Sequence, residues 1–530
     1  MRRWNGWGDD TIALPLGAPA LGFLRERIGA GAAPRDAAFD AVCAALAPSR
    51  LPDHPLVDTT PAARLSHALG QSLPDWLRLR YGRVGRAPDG VAFPESAQQV
   101  RALLRWAGEH DLAVIPYGGG TSVAGHLEAL GGRPVLALAM GRMRAMLSID
   151  PQARLARFEA GVAGPDLEAQ LRAHGYTLGH FPQSFDYSTL GGWIATRSSG
   201  QQSLYYGRIE QLFAGATVET PAGTLAIPTF PASSAGTDLR ELVLGSEGRL
   251  GVLVEATVRI SPVPAREAFH AVFFPDWEHA EPAARAIVQA RLGLSMLRLS
   301  NAAETATMLV LAGHGRQVAL LEAWLRLRGA GAGKCMLLVG ASGDGPRVRA
   351  AIRAALALAR ARRGLHVGRA LGERWKRKRF ANVYLRNSAW EHGYAIDTVE
   401  TALDWPRVGP AMRAVEAAAH AALAQDGERV HAYTHLSHLY PQGASVYATF
   451  VWRLAGDYEA DLARWRRLKT AVSNAIVGCG GTISHQHGVG LDHAPWLRHE
   501  KGELGLAAMR ALFGHFDPDG RMNPGKLVSP

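Results

Sequence analysis

Three glycine-rich segments carry residue types that bind anions. They are PYGGGTS (116–122), FDYSTLGG (185–192) and GSEGRLG (245–251), and the first directly follows an apolar run at 112–115. Glycine has no β-carbon, so backbone N–H groups in such loops can approach a phosphate closely. Each loop also contains a hydroxyl side chain. Three loops of this kind predict one long ligand with a pyrophosphate in its middle.

These loops do not fit the common nucleotide-binding fingerprints. The pattern G-x-G-x-x-G would need a glycine where Val123 stands, and G-x-x-x-x-G-K-[ST] does not occur. A Rossmann domain and a P-loop enzyme are therefore disfavoured. Ordinary turns are the alternative explanation, since the chain has 59 glycines in 530 residues.

Longer segments resemble flavoproteins of the vanillyl-alcohol oxidase superfamily, and within it the alkyldihydroxyacetonephosphate synthase family. The matching segments are RWNGWG (3–8), PYGGGTS (116–122), FDYSTLGGWIATRSSG (185–200), GSEGRLGVL (245–253), YLRN (384–387), GGTISHQHGVG (480–490) and DPDGRMNPGKL (517–527). The resemblance implies non-covalent FAD as cofactor. It also implies that the acyl group of acyl-dihydroxyacetone phosphate is exchanged for a long-chain alcohol, a step in ether lipid synthesis.

The implied fold is α+β. A helical N-terminal region (1–85) precedes a two-part FAD-binding domain of the PCMH type (86–265). A cap domain with an antiparallel sheet (266–470) covers the substrate, and a C-terminal segment (471–530) returns to the flavin. Hydrophobic periodicity agrees, because short apolar runs at 270–274, 336–339 and 445–451 alternate with helical patterns at 279–290, 316–327, 347–361 and 408–424.

The same resemblance implies the cofactor-binding residues, which lie in and beside the three loops. They are Pro116, Tyr117, Gly118, Gly119, Gly120, Thr121, Ser122, Gln183, Ser188, Thr189, Gly192, Thr196, Arg197, Ser198, Ser199, Glu247, Gly248, Leu250, Gly251, Val252 and Leu253.

Five further residues are implied to act on the substrate. Arg386 and Thr398 correspond to residues that bind its anionic end, and a guanidinium suits a phosphate because it offers two parallel hydrogen bonds. Tyr447 matches the catalytic tyrosine, which can relay a proton if cationic neighbours lower its pKa. His485 and His487 follow a Gly-Gly pair, so we expect them on a loop that enters the active site.

The histidine segment departs from the family pattern. The synthases carry three successive histidines where this chain has His485, Gln486 and His487. Glutamine forms hydrogen bonds but cannot relay a proton at neutral pH. Two alternatives therefore stay open: an FAD-linked dehydrogenase or oxidase of a 2-hydroxy acid or alcohol, and a flavin- or lipid-binding protein without catalysis.

We expect no catalytic metal. Five histidines look like a ligand cluster by their spacing, namely His431, His435, His438, His485 and His487. The metal-binding dehydrogenase branch, however, needs a further histidine near Gln442 and a glutamate at the position of Gln486. Two of its three usual ligands are thus missing.

Composition limits the partners and the compartment. The net charge is +11, yet no nucleic-acid-binding motif accompanies it, so a small-molecule or lipid substrate is favoured over nucleic acid. The cysteines Cys43, Cys335 and Cys479 show no pairing pattern, and the usage of alanine, arginine and glycine suggests a bacterial protein. We expect a cytoplasmic protein.

An anionic membrane surface and a second copy of the chain are the partners that the sequence leaves open. Four arginines and lysines in a row lie between the aromatic residues Trp375 and Phe380, a pattern that suits the headgroup layer. Such a segment would hold the protein peripherally on the inner membrane surface. The alternative is a solvated helix face whose aromatic residues pack inward.

Overall fold

The computed structural model describes residues 2–313 and 316–528. The strands are β1 (Val57–Asp58), β2 (Gly90–Ala92), β3 (Ala113–Tyr117), β4 (Val135–Ala139), β5 (Met146–Asp150), β6 (Leu155–Glu159), β7 (Tyr176–Thr177), β8 (Phe213–Thr220), β9 (Gly223–Ile227), β10 (Val252–Arg259), β11 (Ser261–Pro262), β12 (Arg266–Phe274), β13 (Met296–Ser300), β14 (Cys335–Gly343), β15 (Leu365–His366), β16 (Tyr394–Asp404), β17 (His431–Leu439) and β18 (Gly443–Arg453).

The helices follow in the same order. They are α1 (Ala18–Ile28), α2 (Phe39–Ala44), α3 (Pro61–Ser66), α4 (Leu73–Arg80), α5 (Ala97–Glu109), α6 (Gly164–Arg172), α7 (Leu190–Ala195), α8 (Ser203–Tyr206), α9 (Ile209–Leu212), α10 (Arg240–Val243), α11 (Trp277–Gln289), α12 (Ala302–Ala312), α13 (Arg316–Leu327), α14 (Gly345–Arg360), α15 (Ala370–Lys378), α16 (Leu385–Glu391), α17 (Trp405–Ala422), α18 (Tyr458–Gly478) and α19 (Leu497–Phe516).

Two sheets in the first half of the chain carry the glycine-rich loops. One has the order β1-β2-β4-β3, with β2, β4 and β3 parallel, and the other has the antiparallel order β5-β6-β10-β8-β9. The first loop begins at the end of β3. The third loop leads directly into β10. The loops therefore meet where the ends of the two sheets approach each other.

A seven-stranded antiparallel sheet dominates the second half of the chain. Its order is β15-β12-β14-β13-β17-β18-β16. The alanine-rich helices α11 and α14 pack on one face, and small side chains such as Ala284 and Ala355 are fully buried there. The other face of β13, β16, β17 and β18 points toward the glycine-rich loops. The α+β fold with an antiparallel cap sheet is confirmed.

Most of the helices and strands predicted from hydrophobic periodicity have observed bounds within a few residues of the predicted ones. Helix α5 begins after Ser96, whose hydroxyl accepts a hydrogen bond from the backbone of Gln99 at 3.3 Å, as a helix cap should. Helix α13 has the bounds that its pattern predicts. None of the helices in the described ranges is long and apolar enough to cross a membrane.

Candidate active site

A cavity of about 400 Å³ lies between the glycine-rich loops and the cap sheet. All three loops line it on one side. Strands β13, β16, β17 and β18 and helix α12 line the other side. Its size and its mixture of apolar walls and a few polar groups are typical of a cofactor or ligand site.

The first two loops pack directly on each other. A β-carbon added to Gly119 would lie 1.8 Å from the carbonyl oxygen of Tyr187, so only glycine fits there. Beside this contact, Thr189 caps α7 by accepting a hydrogen bond from the backbone of Gly192 at 3.3 Å. The first loop is thus held against the N-terminus of a helix, where backbone N–H groups are available.

Most of the cofactor-binding residues implied by the sequence line this cavity. They are Pro116, Tyr117, Gly118, Gly119, Gly120, Thr121, Ser122, Gln183, Ser188, Thr189, Gly192, Thr196, Ser198, Glu247, Gly248, Leu250, Gly251, Val252 and Leu253. Arg197 and Ser199 do not line it. The side chain of Arg197 turns away to pair with Glu241 and to donate to the carbonyl of Leu244, and Ser199 faces a smaller neighbouring pocket.

Glu247 has a role that its motif did not reveal. Its Oε1 accepts a hydrogen bond from the backbone N–H of Val489 at 2.6 Å, and its Oε2 accepts one from Gly490 at 2.8 Å. His126 lies 3.0 Å from the same carboxylate and also contacts Ser122 of the first loop. Glu247 therefore ties the histidine loop to the first glycine-rich loop.

The residues present fit FAD. The three loops converge on one continuous cavity, the first loop is held against the N-terminus of α7, and the walls toward β10 are apolar. Such a cradle suits a pyrophosphate flanked by two aromatic ring systems. When bound, FAD would supply the covalent chemistry at the substrate.

Tyr447 lies between two histidines on the cap side of the cavity. Its ring stacks on His435, with centroids 4.9 Å apart, and meets His487 edge-on at 5.7 Å. Burial raises the pKa of Tyr447 to about 12, although Arg298 and Arg386 oppose the shift. The sequence predicted a proton relay only if cationic neighbours lower the pKa of Tyr447, and the net shift of that pKa is upward. Tyr447 is therefore protonated at neutral pH.

Arg386 and Thr398 line the same cavity. The guanidinium of Arg386 lies over the ring of Trp76, 4.3 Å from its centroid, and donates to the carbonyl of Gln71 at 2.7 Å. Burial lowers the pKa of Arg386. Thr398 faces Thr449 on the neighbouring strand. A half-buried cation that lines a cavity and packs on an aromatic ring is suited to an anionic ligand.

The two histidines of the C-terminal loop occupy different places. His487 lines the cavity, whereas His485 lies behind it. Nη1 of Arg208 lies 2.8 Å from Nε2 of His485, and the hydroxyl of Tyr440 lies 2.7 Å from the same nitrogen. Because a guanidinium only donates, Nε2 is an acceptor and the proton sits on Nδ1. The implied role of His485 as a residue that touches substrate is therefore not supported.

Glu400 is the centre of the polar cluster behind Tyr447. Nδ1 of His485 lies 3.2 Å from its Oε1, and Nε2 of Gln486 donates to its Oε2 at 2.5 Å. Burial opposes a charge on Glu400, yet His485 and His438 hold its pKa well below the ordinary value. Gln486 thus contributes a hydrogen bond to a buried carboxylate, a contact that the sequence did not indicate.

Glu400, His438 and His485 also offer three ligand atoms within 4.8 Å of one another. This group is not the set weighed from the sequence, since Glu400 belongs to it and His435 does not. A metal ion there would take the lone pair of Nδ1 of His485, which faces Glu400, and the ring proton would then move to Nε2, where it would oppose the N–H of Arg208. The arrangement fits a hydrogen-bonded cluster better than a metal site.

Arg298 and Glu304 are polar residues of the cavity that the sequence did not indicate, and His435 was considered only as a metal ligand. Arg298 donates to Glu304 at 2.7 Å, and Nδ1 of His435 lies 3.0 Å from the same carboxylate. Burial would raise the pKa of Glu304, but His435 and Arg298 lower it to about 2. The available signal was a charged residue in the otherwise apolar strand MLRLS (296–300).

The basic segment at 374–380 does not present its aromatic residues to solvent. Trp375 is 7% exposed, and Phe380 stacks on Phe185 with centroids 4.9 Å apart. Arg379 is buried against these rings, and Lys376 pairs with Glu267 at 2.6 Å. The aromatic headgroup anchor expected from the sequence is therefore wrong, because the apolar residues of this segment pack into the core.

Two family models match the chain. The model described as FAD binding domain matches residues 88–227, and the model described as FAD linked oxidases, C-terminal domain, matches residues 263–527. The chain is 30% identical to alkyldihydroxyacetonephosphate synthase of Dictyostelium discoideum, over 88% of this chain and 77% of the relative. It is 32% identical to that of Trypanosoma brucei brucei, with the same coverage. This chain belongs to the alkyldihydroxyacetonephosphate synthase family.

A solved structure extends this relationship to the whole fold. An alkyldihydroxyacetonephosphate synthase superposes with a TM-score of 0.85 at 26% identity, covering 99% of this chain and 98% of the other. The family assignment makes the protein an FAD-linked enzyme. It also confirms the resemblance to this family that the sequence motifs indicated.

Proposed function

We propose that this member of the family exchanges the acyl group of acyl-dihydroxyacetone phosphate for a long-chain alcohol. The observation that carries the proposal is the half-buried guanidinium of Arg386, which shares one cavity with Tyr447 and the glycine-rich loops. Asp397, which lines the same cavity, favours the charged form of Arg386, and a phosphate would add two parallel charge-assisted hydrogen bonds to this cation. Thr398, on the adjacent wall, is the second residue proposed to hold the phosphate.

The proton movements of this reaction match two of the titratable groups that line the cavity, His487 and Tyr447. The bond between the acyloxy oxygen and the substrate carbon that bears it breaks, and a fatty carboxylate leaves. The entering alcohol loses its proton as its oxygen forms a bond to that substrate carbon. Burial lowers the pKa of His487 and raises that of Tyr447. His487 is therefore a neutral acceptor and Tyr447 a protonated donor at neutral pH, and no net oxidation occurs.

Anaerobic titration of the purified flavoprotein tests the proposal. Acyl-dihydroxyacetone phosphate should perturb the flavin absorbance. After a fatty alcohol is added, the flavin should show no net reduction. A panel of 2-hydroxy acids should leave the oxidised spectrum unchanged. Bleaching by a hydroxy acid would favour a dehydrogenase, and a flavoprotein that responds to neither would favour a binding protein without catalysis.

We also propose that the enzyme contacts an anionic membrane peripherally through α13, since a long-chain alcohol resides in bilayers. Support comes from three exposed apolar residues, Leu320, Trp324 and Leu327, of which Leu327 is 86% exposed. The exposed cations Arg326 and Arg328 lie beside them, and each is worth about 1 kcal/mol near an anionic surface. Met308 of helix α12 lines the cavity and packs in the same apolar cluster as Leu325 of α13, so α13 lies close to the cavity wall.

Co-sedimentation with phosphatidylserine vesicles measures this contact. The double variant Leu320→Glu/Leu327→Glu should lose binding, and high salt should weaken binding of the unmodified protein. Leu504→Glu is the matched control, because Leu504 is 85% exposed on α19, on a different helix. Unchanged recovery of the double variant would contradict the proposed surface.

A further inference from the structure

The N-terminal segment 2–9, which contains the motif RWNGWG, forms a closed loop beside the cavity. Arg2 and Asp9 pair as an isolated antiparallel bridge, and the backbone N–H of Arg3 donates to the carbonyl of Gly8 at 2.8 Å. None of the residues to which a functional role is assigned in the preceding sections belongs to this motif. Its contacts indicate one.

One side of the loop is fixed to the segment that carries Arg386. The backbone N–H of Trp7 donates to Oδ1 of Asn387 at 3.1 Å, and Nδ2 of Asn387 donates back to the carbonyl of Trp7 at 2.9 Å. A β-carbon added to Gly6 would lie 2.6 Å from the same Oδ1. The hydroxyl of Tyr384 accepts a hydrogen bond from the backbone of Asp9 at 3.1 Å.

The other side of the loop touches the glycine-rich loops. The guanidinium of Arg2 donates to the carbonyl of Gly119 and lies 5.6 Å from the ring centroid of Tyr187. The ring of Trp7 meets Tyr187 edge-on, with centroids 5.8 Å apart. The N-terminal loop therefore bridges the cofactor loops and the substrate side of the cavity.

Trp7 has an unmatched donor in this position. Its side chain lines the cavity and the residue is 4% exposed, yet its Nε1 has no hydrogen-bond partner among the residues that the structure describes. The neighbouring indoles of Trp76 and Trp193 each donate to an oxygen, at 2.8 and 2.7 Å. A buried donor left unmatched costs about 1–3 kcal/mol, so an oxygen of a bound ligand is the partner that would offset the cost.

We propose that Trp7 is a ligand-binding residue whose indole N–H donates a hydrogen bond to an oxygen of the molecule held between the first glycine-rich loop and Arg386. That oxygen belongs to FAD or to the phosphorylated substrate, and both offer carbonyl and phosphate acceptors. If the oxygen belongs to the substrate, the proposal rests on the proposed function. If it belongs to FAD, the proposal rests only on the family assignment.

Trp7→Phe removes the N–H and keeps most of the ring packing. The matched control is Trp4→Phe, because Trp4 belongs to the same loop but packs on Phe39, outside the residues that line the cavity. Flavin fluorescence during titration of the apoprotein gives the dissociation constant for FAD. Flavin absorbance of the holoenzyme gives that for dihydroxyacetone phosphate. We expect Trp7→Phe to weaken one of the two by about 5- to 20-fold, and Trp4→Phe to change neither.

Gly6→Ala provides a second variant if Trp7→Phe does not fold. It retains the indole, but its new β-carbon displaces the loop from Asn387, so the same ligand should bind more weakly. Dissociation constants within twofold of the unmodified protein for both ligands, in every Trp7 or Gly6 variant that folds, would overturn the proposal. If the unmodified protein does not bind dihydroxyacetone phosphate, the proposed function fails and the FAD constant alone decides the role of Trp7.

Discussion

Arg208 and His485 form a contact that fixes where a proton can reside. Nη1 of Arg208 lies 2.8 Å from Nε2 of His485, and Nδ1 of His485 faces Glu400 at 3.2 Å. Burial lowers the pKa of His485 to about 4. The ring is therefore neutral, with Nε2 bonded by Arg208 and Nδ1 close to the carboxylate of Glu400, and it positions the loop that presents His487.

Substitution of the two histidines should separate these roles. We expect His487→Gln to reduce turnover by about 100-fold or more, because it removes an acceptor in the cavity. His485→Gln should instead lower the free energy of unfolding by about 1–3 kcal/mol, since Arg208 and Glu400 lose a buried partner. Urea unfolding and turnover of both variants give the comparison. A stable His485→Gln protein with no turnover would refute the assignment.

Gly119→Val should abolish flavin binding. The new β-carbon would collide with the carbonyl of Tyr187, 1.8 Å away, and separate the first two loops. Gly132→Val is the control, because Gly132 is exposed and nothing lies within 4 Å of a β-carbon there. The ratio of flavin to protein absorbance after purification measures occupancy. Full occupancy in Gly119→Val would mean that this loop does not hold the cofactor, and flavin that stays attached to denatured protein would refute non-covalent binding.

The stability of the protein should fall as the pH drops below 6.5. Burial lowers the pKa of His180 to about 3, from an ordinary value of 6.5. Below 6.5 the unfolded chain binds a proton that the folded chain does not, so acid favours unfolding until the pH reaches the folded pKa. This one residue should account for about 3–5 kcal/mol of that loss.

Urea unfolding at several pH values compares His180→Gln with the exposed control His110→Gln. The His180 variant should be less stable at pH 7, because it loses the 2.7 Å contact between its Nε2 and Ser198. Its stability should then fall less steeply toward pH 4. Identical slopes in the two variants would show that His180 is not the group responsible.

Tyr447→Phe should fold and bind FAD but lose most turnover, because it removes one hydroxyl and little volume. We expect a decrease of about 100-fold or more. Tyr394→Phe is the matched control, since Tyr394 is also a buried tyrosine of the cap sheet, but its hydroxyl donates to the carbonyl of Gly29 at 2.8 Å. That variant should lose only about 1 kcal/mol of stability. Undiminished turnover in Tyr447→Phe would exclude it from proton transfer.

Much of the fold could be predicted because local patterns determine it. The loop at 116–122 was predicted as a turn that approaches a ligand, and it lines the cavity. The alternation of apolar residues in β18 places Tyr447 and Thr449 on one face, as the cavity lining shows. Contacts between distant segments could not be predicted. Glu247 resembled a cofactor residue by its motif, yet both of its oxygens bond the loop at 489–490.

The membrane anchor predicted from the charge pattern was wrong for a related reason. The run of cations flanked by aromatic residues at 374–380 is compatible with a membrane anchor and with a helix whose aromatic residues face inward. Only the position of Phe181 and Phe185, nearly two hundred residues earlier, decides between them, because Arg379 and Phe380 pack on these rings. Periodicity describes which residues share a face, but not what that face contacts.

Incorporation of labelled hexadecanol tests the central claim most directly. The purified holoenzyme is incubated anaerobically with acyl-dihydroxyacetone phosphate and the labelled alcohol, while the flavin spectrum is recorded. The account predicts an alkyl ether product, release of one fatty acid for each ether formed, and an oxidised flavin at the end of the reaction. Arg386→Lys should weaken the reaction, because a lysine cannot offer the same bidentate contact to a phosphate. A flavin that remains unresponsive, with no labelled ether formed, would contradict the account.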